Sequence, residues 1–246
     1  MEFHYWVGEG IPETYDPENE SWLEIWNNVF MEYNLVNGEF LPLTKKNVDT
    51  GMGLSRICCV LNGKNNIYET DLFWPIIATI EKLSGKSYSD FTWDMRVIAD
   101  HLRASIFLLS DDSEILPSNV GAGYVLRKLI RRAGRHLINY NISGCIPELV
   151  DEFCKIYGEE FPNLVRKKTH IISELSKELN KFSNCLKSGL RQFNKLGNTI
   201  SGKESFDLFQ SHGFPIEITS ELAKEYGKTI DLDGFEKELE MHRELS

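Results

Sequence analysis

Apolar positions along the chain show an alternating pattern near the N-terminus and then recur every three to four residues, which predicts strands followed by helices. Residues 22–34 carry apolar side chains at both parities, as expected of a strand that is covered on both faces. Asn37-Gly38 predicts a tight hairpin turn, with residues 39–43 returning antiparallel beside the first strand. A further strand is expected to end near Val48.

Helical spacing governs the remainder of the sequence, and glycine or asparagine ends several of the predicted helices. The predicted helices cover residues 54–61, 71–83, 94–109, 124–140, 147–157, 163–190, 219–226 and 233–245. The change from strands to helices predicts a boundary near residues 63–75. The expected fold class is therefore α+β, with an antiparallel sheet in a first domain over 1–70 and a mainly α-helical second domain over 71–246.

Composition narrows the class of protein. Apolar residues make up 41% of the 246 positions and charged residues 26%, as in ordinary globular proteins. No apolar run approaches the ~20 residues of a membrane span, and no basic, apolar leader opens the chain, so a cytoplasmic protein without a membrane partner is expected. The five cysteines form no Cys-x-x-Cys pair, which favours reduced thiols and argues against a zinc site or other bound metal.

Charge is distributed unevenly. The chain carries a net charge of −10, but residues 115–147 contain no acidic side chain. Five cations lie in that window on one predicted helix, namely Arg127, Lys128, Arg131, Arg132 and Arg135. Without nearby acids to pair with, such cations suit the phosphates of a nucleic acid, although a solvated helix face gives the same pattern. Asn119, in the loop that leads into this helix, is placed to read a base edge.

The junction between a strand and a helix at residues 47–56 collects a second set of binding groups. Asp49 can hold an ammonium group, Gly51 and Gly53 leave backbone open to a flat ring, and Arg56 can hold a phosphate. The plainer alternative is a hairpin end with Asp49 as a helix cap. Asn27 and its neighbour Asn28, amides inside a strand, need partners that either a ligand or a bulge would supply.

Several ordered motifs resemble those of alanyl-tRNA synthetases, which are class II aminoacyl-tRNA synthetases. The two most specific are EIWNNVFMEYN at 24–34 and VDTGMGLSR at 48–56, the latter similar to the family's motif 3. The others are YETDLF at 68–73, RVIADHLRA at 96–104, LPSN at 116–119, GYVLRKLIRRA at 123–133 and GFP at 213–215. The resemblance covers essentially the whole chain.

The resemblance implies a two-step reaction in which ATP, with Mg²⁺, activates alanine and the alanyl group then passes to tRNA. By position, Asp49 would hold the ammonium group of alanine, and Asn27 and Val29 would shape its side-chain pocket. Gly51 and Gly53 would lie against the adenosine. Arg56 would hold the γ-phosphate and act as the catalytic residue, since a fixed guanidinium stabilises charge in the transition state.

The resemblance also implies that the helical part reads a G·U wobble pair in the tRNA acceptor stem. Asn119 matches a base-reading asparagine, and the basic residues between Arg127 and Arg135 would hold the RNA backbone beside it. Gln210 occupies the place of a second base reader, which is Asp in the family. Because an amide both donates and accepts hydrogen bonds, this exchange changes what the position can recognise.

Other departures from the family set further expectations. The first residues resemble the segment after motif 2, so motifs 1 and 2, the arginine that clamps the α-phosphate and the zinc-containing editing domain are not matched, and Ser55 replaces a usual Glu. We therefore expect these residues alone not to form alanyl-adenylate at a useful rate. Apolar surface around Trp22, Trp26 and Phe30 would remain uncovered, favouring contact with a separate N-terminal catalytic part or a second copy.

Two other interpretations stay open at this stage. The chain could be a stand-alone, non-catalytic protein that binds acceptor stems, or one subunit of a split synthetase. A helical scaffold that binds only protein would fit the long predicted helix at 163–190 but would leave the motif 3 match unexplained.

Overall fold

A computed structural model describes residues 1–244 and divides the chain into two compact units, Met1–Pro75 and Ile76–Ser246. The first contains strands β1 (Glu2–Trp6), β2 (Trp22–Val36) and β3 (Glu39–Met52), helix α1 (Leu54–Leu61) and a 3₁₀ turn (Ile67–Glu69). Helix α2 (Trp74–Ser84) begins at the boundary. A small antiparallel sheet followed by many helices confirms the predicted α+β class.

The second unit is built from helices joined by short loops. It contains α3 (Thr92–Ser110), α4 (Gly121–Asn139), α5 (Ile146–Tyr157), α6 (Pro162–Arg166), α7 (Lys168–Phe193), α8 (Gly202–His212), α9 (Ile216–Glu225) and α10 (Leu232–Glu244). Two short strands, β4 (Thr199–Ile200) and β5 (Thr229–Ile230), pair in parallel. The final predicted helix residue, Leu245, lies outside the described residues.

The three strands of the first unit form an antiparallel sheet in the order β1-β2-β3. The predicted hairpin is confirmed: Asn37 and Gly38 have φ angles of 51° and 87°, as a two-residue turn of type I′ requires. The prediction that an extended run ends near Val48 is wrong. Cross-strand bonds to β2 hold Asp49 to Met52 in extended conformation, although Asp, Thr and Gly read locally as turn residues.

Coverage of the long strand β2 also differs from the prediction. Val29 on one face is 51% exposed and Phe30 on the other is 62% exposed, so within the described residues the strand is not covered on both faces. Trp26 is 38% exposed as well. The sequence also predicted uncovered apolar surface around Trp22, Trp26 and Phe30, and this is confirmed for Trp26 and Phe30, whereas Trp22 is partly buried.

One predicted helix is interrupted. Residues 163–190 divide into α6 and α7 at Lys167, whose φ and ψ of −98° and 10° leave the helical range. The Lys167 ammonium group donates to the carbonyl oxygen of Asp111 at 2.7 Å and to the carboxylate of Asp112 at 2.9 Å. These contacts with the loop after α3 hold the bend. Because the partner residues are more than fifty positions away in the sequence, helical spacing does not predict them.

Helix α8 was missed from the sequence although it carries a recognisable start signal. The Ser201 hydroxyl accepts a hydrogen bond from the Glu204 amide, and the Glu204 carboxylate accepts one from the Ser201 amide. This reciprocal pair is a capping box, whose Ser-x-x-Glu spacing is visible in the sequence. Gly213, with a φ of 61°, ends the helix.

Helix α7 joins the two halves of the helical core. Its first turns pack with α3, α4 and α5, and its later turns pack with α8. The apolar side chains that form the second half of the core are Phe182, Leu186, Phe193, Ile200, Leu208, Phe214, Ile218, Leu222 and Ala223. The α8–α9 segment is thereby packed into the unit beside α4 and α7, which positions its polar residues next to the basic helix. Of the helices described, none is both long and apolar enough to cross a membrane.

Candidate functional site

The residues predicted to bind alanine lie side by side on one face of the sheet. Asn27 pairs with Gly51 and Val29 pairs with Asp49 across β2 and β3. Directly paired residues of antiparallel strands point to the same face, as do residues two apart along one strand. The hairpin therefore brings an amide, a small apolar side chain, a carboxylate and a bare backbone position together.

This face is open to a ligand. Val29 is 51% exposed, and a Cβ atom added at Gly51 would meet no other atom within 4 Å. The Asn27 amide donates to the Glu2 carboxylate of β1 at 3.1 Å, which fixes its orientation. Among the residues that the structure describes, no ion-pair partner is found for Asp49. Its carboxylate is exposed and available to a cation.

Arg56 lies in the first turn of α1, immediately after the sheet. Its Nη1 donates to the backbone oxygen of Glu24 at 2.8 Å and lies 3.7 Å from the Glu24 carboxylate. Gly53 begins the helix with its amide bound to the Ile25 oxygen at 3.1 Å, and a Cβ atom there would lie 3.2 Å from Arg56 Cδ. The guanidinium is thus held against β2 while 49% of the side chain stays exposed.

Asn28 points to the opposite face of the sheet. Trp26 Nε1 donates to the Thr50 hydroxyl at 2.7 Å, and that hydroxyl donates to Asn28 Oδ1 at 2.5 Å. The amides of the strand therefore find partners on neighbouring strands, Glu2 for Asn27 and Thr50 for Asn28. Neither a ligand nor a bulge is needed to satisfy these amides, because the pairing of the strands brings a hydrogen-bond partner to each of them.

The loop before α4 folds back onto the start of that helix. The Ser118 amide donates to the Gly123 oxygen at 3.0 Å, and the Ser118 hydroxyl donates to the Val120 oxygen at 2.9 Å. A Cβ atom on Gly123 would lie only 2.3 Å from the Leu116 oxygen, so glycine is required for this close approach. Asn119 is thereby placed beside the second turn of α4, where its side-chain oxygen accepts a hydrogen bond from Arg127.

The prediction that the basic cluster of α4 lacks acidic partners is wrong for four of its five cations. Carboxylates that arrive from α7 and α9 pair with them. The ion pairs are Lys128 with Glu217 at 2.8 Å, Arg131 with Glu178 at 2.7 Å, Arg132 with Glu221 at 2.7 Å, and Arg135 with Glu221 at 2.9 Å and with Glu225. The partners lie 47 to 90 positions away, beyond the window that the sequence pattern covers.

Two of these cations are buried and hold helices together. The Arg131 and Arg135 side chains are only 9% and 4% exposed. Arg131 also donates to the Gly213 oxygen at 2.6 Å, and its guanidinium carbon lies 5.7 Å from the centre of the Phe182 ring. Lys128 and Arg132 remain about a third and a quarter exposed, at 33% and 27%. The basic helix thus serves the packing of α7, α8 and α9 against α4.

A narrow cleft lies between the first half of α4 and the segment that links α8 to α9. Tyr124, Arg127, Lys128 and Arg131 line one side, and Phe209, Gly213 and Pro215 line the other. The rings of Tyr124 and Phe209 lie 6.4 Å apart. Gln210, which is exposed, follows Phe209 directly, while Asn119 is bound to Arg127. Each predicted base reader is thus next to a residue that lines the cleft, Asn119 to Arg127 and Gln210 to Phe209.

Arg127 differs from the other cations of α4 because the partner that the structure gives it is an amide. Burial, followed by the positive charge of Arg131, lowers the pKa of the Arg127 guanidinium. The guanidinium carbon lies 5.7 Å from the centre of the Tyr124 ring. Arg127 therefore places a positive charge on the cleft. Among the contacts described, no carboxylate bonds directly to it.

The described residues offer no cluster of metal-binding side chains. Over residues 1–244, no three His, Cys, Asp or Glu side chains lie together as metal ligands would. All five cysteines are free, and burial raises the pKa of the thiols of Cys59 and Cys154. No Mg²⁺ ligand is therefore assigned to these residues.

The chain matches the family of class II (A) tRNA synthetases over residues 2–246. It is 46% identical to an alanine–tRNA ligase of Borrelia hermsii over 235 residues, which cover 92% of this chain and 40% of that protein. The corresponding enzyme of Treponema pallidum is 38% identical over 241 residues and is covered to 39%. That of Legionella pneumophila is 38% identical over 247 residues, 98% of this chain and 28% of the relative. The chain spans about two fifths of the length of the first two relatives, and it belongs to the class II (A) tRNA synthetases.

Proposed function

We propose that this chain forms part of an alanine–tRNA ligase, which activates alanine with ATP and transfers the alanyl group to tRNA. The observation that carries the proposal is the shared sheet face on which Asn27 and Val29 lie directly opposite Gly51 and Asp49. The names of the similar proteins support the choice of alanine. In this proposal residues 1–70 belong to the catalytic domain and residues 71–246 recognise tRNA in the cytoplasm.

The chemistry of the sheet face suits a small amino acid joined to a nucleotide. Asp49 would hold the ammonium group of alanine, and Val29 and Asn27 would border its methyl group. Gly51 leaves room for a planar base to lie on the backbone, and Gly53 places Arg56 at the helix start. Arg56 would hold the γ-phosphate of ATP, where fixed positive charge stabilises the transition state.

A stable analogue of alanyl-adenylate tests this assignment. Isothermal titration of the 246-residue chain with alanyl-sulfamoyl-adenosine should show binding that falls about 10- to 100-fold in Asp49→Asn, because a hydrogen bond to a charged group contributes about 1.5–3 kcal/mol. Asp16→Asn, which removes an exposed carboxylate elsewhere in the unit, serves as the control and should bind normally. Equal binding by wild type and Asp49→Asn would contradict the role of this face.

The second unit supports recognition of the acceptor stem as a further part of the function. Asn119 is bound to Arg127 and Gln210 follows Phe209, and both of these neighbours line the cleft, so we place the base contact at its rim. Lys128 and Arg132 are partly exposed and can share their charge with phosphates, whereas Arg131 and Arg135 are buried in ion pairs. We therefore centre the proposed RNA contact on the cleft.

Fluorescence anisotropy with a labelled acceptor-stem hairpin tests this second part. The chain should bind a hairpin with a G·U pair more tightly than one with G·C at the same position. Binding without preference would reduce the function to contact with phosphates, and absence of binding at low salt would contradict it. G·U preference without binding of the adenylate analogue would instead favour a non-catalytic acceptor-stem binding protein or one subunit of a split synthetase.

A further inference from the structure

Arg127 reaches back from the second turn of α4 to the loop that carries Asn119, and this contact rests on a well-defined local structure. Ser118 and Gly123 close the loop against the helix start, which brings Asn119 level with a residue eight positions later. The Tyr124 ring lies one turn before Arg127 and supports the guanidinium at 5.7 Å. Arg127 is therefore held between a ring and an amide rather than extended into solvent.

The charge environment of α4 separates Arg127 from its neighbours. Lys128, Arg131, Arg132 and Arg135 each bind at least one carboxylate of α7 or α9. Arg127 instead donates to a neutral side chain on the cleft proposed to meet RNA. Its hydrogen bond thus orients Asn119 and does not attach α9 to α4.

The chemistry of the two groups fixes which way the amide faces. An asparagine side chain carries one acceptor oxygen and one NH₂ donor, and rotation by half a turn exchanges them. A guanidinium has donors only, so it can bind the oxygen and not the NH₂ group. While Arg127 holds Oδ1, Nδ2 is turned away from Arg127 and can serve only as a donor.

A donor of this kind limits the base atoms that Asn119 can bind. It can meet purine N3 or pyrimidine O2 in the shallow groove of an RNA helix, and it cannot accept from an exocyclic amino group. Both G·U and G·C present these acceptors, so a fixed donor distinguishes them by the position of the pyrimidine O2, which wobble pairing shifts. Without Arg127 the amide could rotate and offer either group, which would weaken its discrimination between base pairs.

We propose that Arg127 is a positioning residue, which holds the Asn119 amide with its NH₂ group toward the acceptor stem and thereby sets the base preference of the cleft. This inference rests on the proposed recognition of the acceptor stem by the second unit. It assigns to Arg127 a role in selectivity, in place of the phosphate contact that its position in the basic cluster predicts.

The test compares the affinity ratio of the intact 246-residue chain for G·U and G·C hairpins. Arg127→Met should bring this ratio close to that of Asn119→Ala, near one. Arg127→Lys keeps a cation that only donates, without the planar fork, and should restore the ratio in part. Lys128→Met, which removes a neighbouring charge that does not contact Asn119, should weaken binding to both hairpins alike and leave the ratio unchanged.

A double variant separates positioning from independent contacts. If Arg127 acts through Asn119, Arg127→Met should change the ratio no further in the Asn119→Ala background, so the two effects will not add. Because each ratio is measured on one protein preparation, partial loss of folded protein affects both hairpins equally. Circular dichroism of each variant checks that the helices are intact.

Several outcomes would overturn the inference. They are a ratio unaffected by Arg127→Met, additive losses in the double variant, or an equal loss for both hairpins with a salt slope reduced by about one, as removal of a phosphate contact gives. If wild type itself shows no G·U preference, the proposed recognition fails and the inference fails with it. A wild-type preference that Arg127→Met retains defeats the inference alone.

Discussion

The sheet face of the first unit and the basic helix of the second carry similar charged residues but use them differently. Asp49 and much of Arg56 remain exposed, so their charges are available to a ligand. Arg131 and Arg135 of α4 are buried against carboxylates and hold the fold together. A charged residue in a sequence pattern therefore indicates a ligand only when no distant part of the chain supplies its partner.

The first prediction concerns stability, where the difference between the two regions should be largest. Arg131→Met leaves Glu178, whose side chain is 6% exposed, without its cation. Loss of one partner from a buried pair costs about 3–5 kcal/mol. Urea unfolding should therefore show a large decrease in the free energy of unfolding.

Arg166→Met is the matched control for that variant. Arg166 and its partner Asp112 are 65% and 73% exposed, so its loss should change stability little because exposed pairs are screened by water. Equal stability of Arg131→Met and wild type would show that the α4 cations do not hold the unit together.

Gly189 and Gly51 differ in the space around them, which compares packing in the two regions. A Cβ atom on Gly189 in α7 would lie 2.3 Å from Phe214 Cε2, so Gly189→Ala should cost about 1–3 kcal/mol by overpacking. Gly51→Ala places its Cβ in open space and should leave the free energy of unfolding nearly unchanged, while weakening binding of the adenylate analogue. The same urea titration measures both variants. A larger loss for Gly51→Ala than for Gly189→Ala would contradict the contrast between open and packed regions.

The buried histidine of α4 gives the helical unit a dependence on pH. Burial lowers the pKa of His136, although Asp94 at 3.4 Å opposes this and Arg135 and Glu221 also act on it. As pH falls below the ordinary value of 6.5, the unfolded chain takes up a proton that the folded imidazole does not. This contribution to stability is therefore complete above that pH and is lost as pH falls toward the folded pKa.

The corresponding experiment measures unfolding at about pH 7.5 and about pH 5.5. His136→Gln removes the titrating group and should lose less stability on acidification than wild type does. His170→Gln, at an exposed position, should behave like wild type. An unchanged pH dependence in His136→Gln would contradict this account of the histidine.

The smallest expected effect is the stability change in Asp49→Asn. Because the carboxylate is exposed and has no ion-pair partner among the described residues, the substitution should alter the free energy of unfolding by less than about 0.5 kcal/mol. Thermal unfolding beside the binding titration measures this. A strongly destabilised variant would mean that Asp49 serves the fold, and the distinction between the two regions would weaken.

How far the sequence predicts this molecule depends on the distance between interacting residues. The turn at Asn37-Gly38 and the helix at 54–61 come from adjacent residues, and both are confirmed, the helix with its bounds. The α+β class follows from the same local patterns. The hairpin turn alone would pair Asn27 with Val48, and the register shift between Met31 and Tyr33 instead places Asn27 opposite Gly51. That irregularity is not readable from residue types.

Features that depend on distant contacts could not be predicted. The break at Lys167 is held by Asp111 and Asp112, and the acidic partners of α4 lie in α7 and α9. Helix α8 is an exception, because its Ser201 start signal was present in the sequence and overlooked. The roles of Asn119 and Gln210 remain predictions, which the hairpin titrations test.

The most direct test of the central claim, that the cations of α4 are largely used within the fold, is the salt dependence of hairpin binding. Each phosphate contact contributes a slope of about −0.9 to log K against log salt, so five free cations would give about −4.5. Since four of the five bind carboxylates and, of these, only Lys128 and Arg132 stay partly exposed, we expect a slope between about −1 and −2. A slope of about −4 or steeper would contradict it, because the whole cluster would then be meeting RNA.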